Sequence, residues 1–242
     1  MHRFFIEPHA VEGTKATITG EDVQHIAKVL RLRSGDEVTL CDGAKTEYTA
    51  VIEAVEKETV TLHIVGQSVS ATEPQAEITL YQGLPKAGKL ETIVQKCVEL
   101  GIANVIPFDA ERSVVKLSEK DFAKKQPRYQ RVAYEAAKQS RRGIIPEVGG
   151  LVKLAKEDLS GYDLVLLAYE EERGITLKQA LRNKQNAKRI ALIVGPEGGF
   201  APEEADMLTK NGALSVSLGP RILRTETAGM AMLAMTLYEL EF

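Results

Sequence analysis

The sequence predicts an α/β protein in two parts, a small β-rich barrel followed by a parallel sheet covered by helices. In about the first seventy residues, apolar and polar residues alternate in short runs rich in β-branched side chains, which is typical of half-buried strands. From Glu77 onward, strand-like runs alternate with helix-like runs. Two later runs, LVLLA and IALIVG, are apolar on both faces, which indicates a parallel sheet buried between helices.

The N-terminal part is predicted to hold about five short strands around one helix. Asp42 and Gly43 fall where a hairpin turn would join two of the strands. In the helical run TGEDVQHIAKVL, Thr19 and Asp22 resemble a capping box. Strands are predicted at 15–19, 37–42, 47–55 and 59–66. Small barrels of this kind often bind RNA, which is an analogy at the level of the fold.

The predicted domains are a barrel over 1–70, a polar linker over 71–76 and an α/β domain over 77–242. A long basic helical stretch in the second domain is broken near Pro127. Strands are predicted at 77–84, 104–110, 162–170, 189–195 and 214–219, and helices at 89–101, 176–183, 202–212 and 224–240.

Composition is that of an ordinary soluble globular protein, with 44% hydrophobic and 27% charged residues. The chain has no apolar run of transmembrane length and no basic-then-apolar leader, so a cytoplasmic location is expected. Cys41 and Cys97 lie far apart without CxxC spacing and are expected to be free thiols. The four histidines form no ligand-spaced cluster, so no metal site is expected.

The net charge of −3 argues against nucleic-acid binding, but the basic residues are unevenly distributed. Seven basic residues and one acidic residue lie between Lys124 and Arg142. Several of them interleave with Tyr129 and Tyr134, and cations beside aromatic rings suit phosphates and stacked bases. A solvated helix face would have the same composition, so this segment alone leaves both interpretations open.

Three loops follow strands of the predicted parallel sheet, at the carboxyl ends where ligands bind in such sheets. They are 169–171, 195–199 and 219–224. Two of them open with Gly-Pro and continue with charged residues, and glycine lets backbone groups approach a ligand closely. The loops therefore favour a ligand site over three ordinary turns. The chain contains no P-loop, no GxGxxG after a strand and no GxSxG elbow.

The two Gly-Pro loops, GPEGGF and LGPRILRTETA, resemble the cofactor loops of the SPOUT class of knotted methyltransferases. Within that class the chain resembles the RsmE family, whose members methylate N3 of a uridine in small-subunit (16S) ribosomal RNA. Further matching stretches, in order along the chain, are HRFF, HIAKVLRLRSGD, KLETIVQKCVELGI, VIPFDAERS and EAAKQSRR followed by IP. The resemblance covers nearly the whole chain.

The resemblance implies a PUA-like barrel, a SPOUT α/β domain with a trefoil knot, S-adenosylmethionine as methyl donor and a homodimer. Knots are rare exceptions among folds. The loop 218–224 would be the knotted cofactor loop, Thr225 and Thr227 would cap the last helix, and Glu226 would suit its positive end. The residues implied to bind the cofactor are Leu167, Ala168, Gly195, Glu197, Gly199, Leu218, Gly219, Leu223, Arg224, Thr225 and Ala228.

Methylation of N3 of uracil requires a positioned base, removal of the imide proton and stabilisation of charge on the flanking carbonyl oxygens. Arginine suits the last task because its fork donates two hydrogen bonds and stays charged. The arginine candidates are Arg112, Arg141, Arg142 and Arg224. The candidates for a base are Glu197 and Glu135. A structural role in its loop would also explain Glu197, and an ion pair with Arg131 or Lys138 is the favoured interpretation of Glu135.

The predicted catalytic residues are Arg112, Arg141, Arg224 and Glu197. The predicted RNA-binding residues are His25, Lys28, Arg31, Arg33, Arg128, Arg131, Lys138, Arg141 and Arg142. The expected substrate is small-subunit ribosomal RNA, free or in an assembled subunit. Two alternatives stay open, a non-catalytic RNA-binding or assembly factor of the same fold and a ribose 2′-O-methyltransferase. The second is disfavoured because Gln95 and Lys96 stand where related ribose-directed enzymes carry an arginine.

Overall fold

A computed structural model describes residues 2–86 and 88–241 of the chain. It divides into two compact units. The N-terminal unit combines residues 1–73 with 137–145, and the C-terminal unit combines 74–136 with 146–242.

The N-terminal unit is built on one six-stranded sheet. Its strands are β1 (His2–Phe5), β2 (Val11–Glu12), β3 (Lys15–Thr19), β4 (Glu37–Cys41), β5 (Thr46–Val55) and β6 (Thr59–Val69). They pair in the order β1-β4-β5-β6-β3-β2, and only β1 and β4 pair in parallel. The four predicted strands are confirmed, whereas β1 and β2 are too short to show alternation. No pairing of β1 with β2 closes a barrel among the described residues.

The predicted helix of this unit begins later and winds differently from expectation. Its first part, α1 (Glu21–Gln24), passes directly into a π-helical segment, His25–Leu30. Gly20 occupies the N-cap position with φ 75°, and no side chain caps the helix. The capping box predicted at Thr19 and Asp22 is therefore wrong, because a glycine rather than a hydroxyl residue stands at the cap.

A buried ion pair joins the two chain segments of the N-terminal unit. Arg142 Nη2 lies 2.6 Å from Glu73 Oε2, and the two side chains are 3% and 4% exposed. The Glu73 carboxylate also accepts hydrogen bonds from the backbone N–H groups of Gly143 and Ile144. Glu73 is therefore held inside this unit, although its polar surroundings in sequence are typical of a linker. The predictions that Arg142 binds RNA or stabilises charge in the active site are wrong, because its guanidinium is buried.

Both cysteines are free, as predicted, and both are buried. Burial raises the pKa of the Cys41 thiol to about 11 even though the Arg3 guanidinium acts to lower it. Burial also raises the pKa of Cys97 to about 12. Thiols with such values stay protonated near neutral pH, so neither should react before the surrounding structure opens.

Replacing Arg142 with Ala is expected to destabilise the N-terminal unit by about 3–5 kcal/mol, because Glu73 would keep a buried charge without its cation. Thiol labelling in denaturant can check this for each unit, since Cys41 lies in the N-terminal unit and Cys97 in the other. Cys41 should become reactive at lower denaturant in R142A, while Cys97 should not change. The control is R131A, which removes an exposed arginine paired with Glu135 and should cost less than about 0.5 kcal/mol. An unchanged labelling midpoint for Cys41 in R142A would contradict the prediction.

The C-terminal unit is built on a second six-stranded sheet, in which every pairing is parallel. Its strands are β7 (Glu77–Gly83), β8 (Asn104–Phe108), β9 (Glu147–Val148), β10 (Leu164–Ala168), β11 (Arg189–Val194) and β12 (Leu214–Val216). They pair in the order β12-β10-β11-β7-β8-β9. The predicted parallel sheet is confirmed, and the doubly apolar runs LVLLA and IALIV form its neighbouring strands β10 and β11.

The helices that follow α1 match the predicted runs. They are α2 (Lys89–Leu100), α3 (Glu119–Ala123), α4 (Gln126–Gln139), α5 (Leu177–Arg182), α6 (Pro202–Lys210) and α7 (Thr225–Glu241). The predicted break near Pro127 lies between α3 and α4. Gly101 ends α2 in the left-handed region at φ 108°, as the sequence predicts for a glycine after the last apolar residue. No helix in the described parts of the chain is long and apolar enough to cross a membrane.

Candidate functional site

The three predicted ligand loops lie at one edge of the parallel sheet. Because β10, β11 and β12 are parallel members of the same sheet, the loops that follow them leave from their carboxyl ends on the same side. The segments after β7 and β8 leave from this edge as well, at 84–88 and 109–118. Ala87 lies outside the described residues.

The start of α7 is tied to the loop after β11 by buried hydrogen bonds. The Thr225 hydroxyl donates to the Gly195 carbonyl at 2.6 Å and accepts from the Gln82 side-chain amide at 2.8 Å. Gln82 is 0% exposed. The predicted capping role of Thr225 is wrong because its hydroxyl is used in this contact and the residue is already helical. Thr227 lies two residues inside the helix and cannot be its N-cap either.

The loop after β11 rests directly on the end of β7. A Cβ atom at Gly83 would lie 2.5 Å from both N and Cδ of Pro196 and 2.8 Å from the Gly195 carbonyl carbon. Only a residue without a side chain allows this approach of two backbone segments. Gly83 therefore sets how closely the 195–199 loop sits on the sheet.

A lysine lies between two carboxylates of the site. Lys89 Nζ is 3.0 Å from Glu197 Oε1 and 3.0 Å from Glu226 Oε2. Glu197 also accepts a hydrogen bond from the Lys86 backbone N–H at 3.1 Å. The negative charge of Glu226 stands in the first turn of α7, where the helix dipole favours it.

The contacts with Lys89 and Lys86 change the pKa of Glu197, the candidate base. Burial acts to raise the pKa of Glu197, but Lys89 and backbone N–H groups outweigh it, so the pKa is lowered. The pKa of Glu226 is lowered for the same reasons, with Lys89 among the causes, while the two carboxylates raise the pKa of Lys89. A carboxylate of lowered pKa is a weaker proton acceptor. The contacts of Glu197 therefore favour a role in holding its loop.

The loop after β8 packs against Gly198 in the 195–199 loop. A Cβ atom at Gly198 would lie 2.7 Å from the Arg112 carbonyl oxygen and 2.9 Å from its Cβ. A Cβ atom at Gly199, where φ is 66°, would overlap the Glu170 carboxylate of the loop after β10. Three loops thus converge around 198–199, and the exposed side chain of Arg112 lies beside them.

The other predicted cofactor residues occupy the same sheet edge with different exposures. Leu167 is 0% exposed near the end of β10, so only its backbone can face a ligand. Gly219 has φ 119°, and a Cβ atom there would meet nothing within 4 Å, which leaves its backbone open. Ala168, Leu218, Leu223 and Ala228 are half-buried, and Arg224 is exposed.

A surface cavity of about 460 Å³ lies in the N-terminal unit. Its lining residues are Ala27, Lys28, Arg31, Leu32, Arg33 and Val55. The π-helical segment and the left-handed turn at Arg31, with φ 55°, bring three of the predicted RNA-binding residues to this place. The fourth, His25, is half-buried and packs edge-on against Phe4 with ring centroids 6.4 Å apart. Cations around an apolar floor suit a phosphate and the base beside it.

The double substitution K28A/R31A is expected to weaken RNA binding and to reduce the slope of log K against log salt concentration by about 2, since two phosphate contacts would be lost. Fluorescence anisotropy with a ribosomal RNA fragment over a range of salt concentrations measures both quantities. K15A is the control, because Lys15 is in the same unit but does not line the cavity. If the salt slope equalled that of the unmodified protein, the prediction that RNA binds at this cavity would be wrong.

In the predicted basic surface of 124–142, Arg128 and Arg131 are exposed. Arg128 pairs with Glu91 at 3.0 Å, and Arg131 pairs with Glu135 at 3.0 Å within α4. The two arginine side chains are 74% and 61% exposed. The ion-pair interpretation of Glu135 is confirmed, and both arginines stay accessible to an RNA.

Three further basic residues of this segment, Lys138, Arg141 and Arg142, belong to the N-terminal unit. Lys138 lies 2.6 Å from the Asp22 carboxylate and 5.4 Å from the centroid of the Phe4 ring. Its side chain is 19% exposed, so it serves packing within this unit more than contact with an RNA. Arg141 is exposed and lies in the left-handed region at φ 61°.

Comparison with known proteins places these features in one family. A family model described as an RNA methyltransferase domain matches residues 72–237, and one described as an RNA methyltransferase PUA domain matches 18–65. The ribosomal RNA small subunit methyltransferase E of Bacillus subtilis is 35% identical over 250 residues, which cover 100% of this chain and 98% of the relative. The chain belongs to the RsmE family.

Other RsmE proteins support the assignment. The Mycobacterium tuberculosis ribosomal RNA small subunit methyltransferase E is 32% identical over 239 residues, covering 95% of this chain and 88% of that protein. The crystal structure of the Neisseria gonorrhoeae RsmE bound to S-adenosylmethionine is 30% identical, with a TM-score of 0.82 over 97% of this chain and 96% of the other.

Three residues of the site are not singled out by the sequence. Gln82 and Gly83 end β7, and Lys89 begins α2. For Gln82 and Gly83, the sequence shows only a polar residue and a glycine at the end of an apolar strand, and an ordinary strand end has the same pattern. The partners of Lys89, Glu197 and Glu226, lie more than a hundred residues away in sequence, so the local pattern does not show them.

Proposed function

We propose that this chain transfers the methyl group of S-adenosylmethionine to N3 of a specific uridine in small-subunit (16S) ribosomal RNA. Relatives covering nearly the full chain are ribosomal RNA small subunit methyltransferases E, and a relative of the same fold is bound to S-adenosylmethionine. The observation within the chain that carries the proposal is the convergence of the loops at 195–199 and 218–225, joined through Thr225 and Gly195.

The residues at this edge fit S-adenosylmethionine, which presents amine and hydroxyl donors on a small polar and aromatic body. Gly219 leaves its backbone open, and Gly195 and Gly199 of the neighbouring loop carry no side chains. Oε2 of Glu197 is enclosed without a hydrogen-bond donor among the described residues, so it can accept from a ligand. The residues proposed to hold the cofactor are Leu167, Ala168, Gly195, Glu197, Gly199, Leu218, Gly219, Leu223, Arg224, Thr225 and Ala228.

S-adenosylmethionine supplies an electrophilic methyl group when it is bound. The chain itself must place the uracil ring, lower the cost of removing the N3 proton and exclude competing acceptors. Arg112 is proposed to donate hydrogen bonds to a uracil carbonyl oxygen and so stabilise the developing anion, because its exposed side chain lies beside the 198–199 turn. Arg224 and Arg141 are proposed for the same task, and both are exposed.

The finer features implied by the family are also part of the proposal. These are a trefoil knot formed by the last part of the chain, a homodimer, a cytoplasmic location and the domain limits 1–70 and 77–242. Leu100 of α2 and Met235 and Tyr238 of α7 supply exposed apolar surface for a dimer contact, at 38%, 38% and 70% exposure. Helices α2 and α7 pack against each other, so this surface lies on one pair of helices.

The test uses small ribosomal subunits from cells that lack the protein. They are incubated with the protein and S-adenosylmethionine, and the RNA is digested and analysed by mass spectrometry. New 3-methyluridine is the expected result. A new 2′-O-methyl nucleoside would contradict N3 of uridine as the methyl acceptor but support S-adenosylmethionine as the methyl donor. If neither subunits nor free RNA were methylated, the result would favour a non-catalytic RNA-binding factor.

A further inference from the structure

A single cation links two separate parts of the candidate site. Lys89, the first residue of α2, has its Nζ 3.0 Å from a carboxylate oxygen of Glu197 and 3.0 Å from one of Glu226. Glu197 belongs to the loop after β11, and Glu226 to the first turn of α7. We call these three residues the Lys89 bridge.

The Lys89 bridge supplements the buried contact between Thr225 and Gly195. That hydrogen bond fixes the loop to the helix at one point, with Thr225 Oγ1 2.6 Å from the Gly195 carbonyl oxygen. Through Lys89, Glu197 adds a second link between this loop and α7, two residues further along, and a second link also fixes the orientation of the loop relative to the helix. Such preorganisation lowers the cost of ordering a site around its ligand.

The bridge is sheltered enough for its charges to matter. The side chains of Lys89, Glu197 and Glu226 are 26%, 19% and 22% exposed. Charges that are largely enclosed are screened less by salt than those of open surface pairs. Without the lysine, two carboxylates would remain close together with no cation between them, and repulsion would push the loop away from α7. Arg224, two residues before Glu226, is a further positive charge that acts on this cluster.

We infer that Lys89 is a positioning residue for the S-adenosylmethionine site, one that sets the spacing of the 195–199 loop and the start of α7 through Glu197 and Glu226. The inference rests on the proposed function, since it requires these two segments to hold the cofactor. Lys89 acts on the geometry of the loops and does not contact the reacting atoms in this role.

The experiment compares K89M with K89R and K96M in the full chain. Lys96 is the matched control because it lies on the same helix and pairs with Glu99, three residues away. K89M is expected to raise the Kd for S-adenosylmethionine by about tenfold or more, while K89R and K96M stay within about twofold of the unmodified protein. Isothermal titration calorimetry gives the Kd values. Hydrogen exchange without ligand should be faster at 195–199 and 223–228 in K89M alone.

Two further variants separate positioning from general stability. K89M/E226Q should bind S-adenosylmethionine more tightly than K89M, because removing one carboxylate removes the repulsion. E226Q alone, in which Lys89 keeps Glu197, should raise the Kd by about threefold, and it keeps the test decisive if K89M does not fold. The effect on methyl transfer should fall on KM for the cofactor rather than on kcat at saturation.

The outcomes distinguish the two levels of inference. If the unmodified protein does not bind S-adenosylmethionine, the proposed function fails. If it binds and K89M or E226Q binds equally well, with unchanged exchange in both loops, the positioning role of Lys89 is overturned. A lower melting temperature for K89M with an unchanged Kd would overturn it as well, since that result describes stability alone.

Discussion

Replacing Gly83 with Ala is expected to lower the affinity for S-adenosylmethionine by about 10- to 100-fold, equivalent to about 1–3 kcal/mol of overpacking. The added methyl group would lie 2.5 Å from the N and Cδ atoms of Pro196. These atoms belong to the ring and backbone of a proline, so no flexible side chain can move out of the way. The 195–199 loop would have to lift from the end of β7, which would also strain the contact between Gly195 and Thr225.

Gly150 provides the matched control for this substitution. It lies in the same unit, and a Cβ atom there would meet nothing within 4 Å. G150A should therefore bind S-adenosylmethionine like the unmodified protein when both are measured by calorimetry. If the affinity of G83A lay within about twofold of that of G150A, cofactor binding would not depend on the close packing of the 195–199 loop against Gly83.

Replacing Arg112 with Ala is expected to lower kcat for ribosomal RNA methylation by about 100- to 1,000-fold, the range found when one donor to a developing anion is removed. The expected Kd for S-adenosylmethionine is unchanged within about twofold, because Arg112 approaches the 198–199 turn through its main chain and Cβ, which alanine retains. Single-turnover methylation at saturating cofactor measures the rate.

Two variants control this prediction. R112K keeps the charge but not the planar fork, so it should recover only part of the rate. R182A removes an exposed arginine of α5 that pairs with Glu239, and it should methylate normally. A normal rate for R112A would transfer the proposed role to Arg224 or Arg141, which can be replaced in the same assay.

The sheet and its helices are predictable from the sequence because hydrophobic pattern and glycine placement act locally. The runs LVLLA and IALIV become neighbouring parallel strands, and Gly101 ends α2 as its position indicates. The helix of the N-terminal unit departs from the pattern. A π-helical segment changes the side-chain spacing after His25, and periodicity based on an α-helix cannot anticipate this change.

Residues whose roles depend on distant partners are not predictable in the same way. Arg142 belongs to a basic run in sequence, but in the fold it is buried against Glu73, 69 residues away. Thr225 has the composition of a helix cap, but its hydroxyl is taken by Gly195 and Gln82. Lys89 gives no local sign that it pairs with two carboxylates. In each case the partner is set by the tertiary structure, which the local pattern does not encode.

Hydrogen exchange of the full chain with and without S-adenosylmethionine tests most directly whether the loops at this sheet edge form the cofactor site. Slower exchange in 195–199 and 218–228 is the expected result, because the ligand would order both segments at once. Exchange in 25–33, around the cavity of the N-terminal unit, should not change. Protection confined to 25–33, or to any region away from the carboxyl edge of the parallel sheet, would contradict the proposed site.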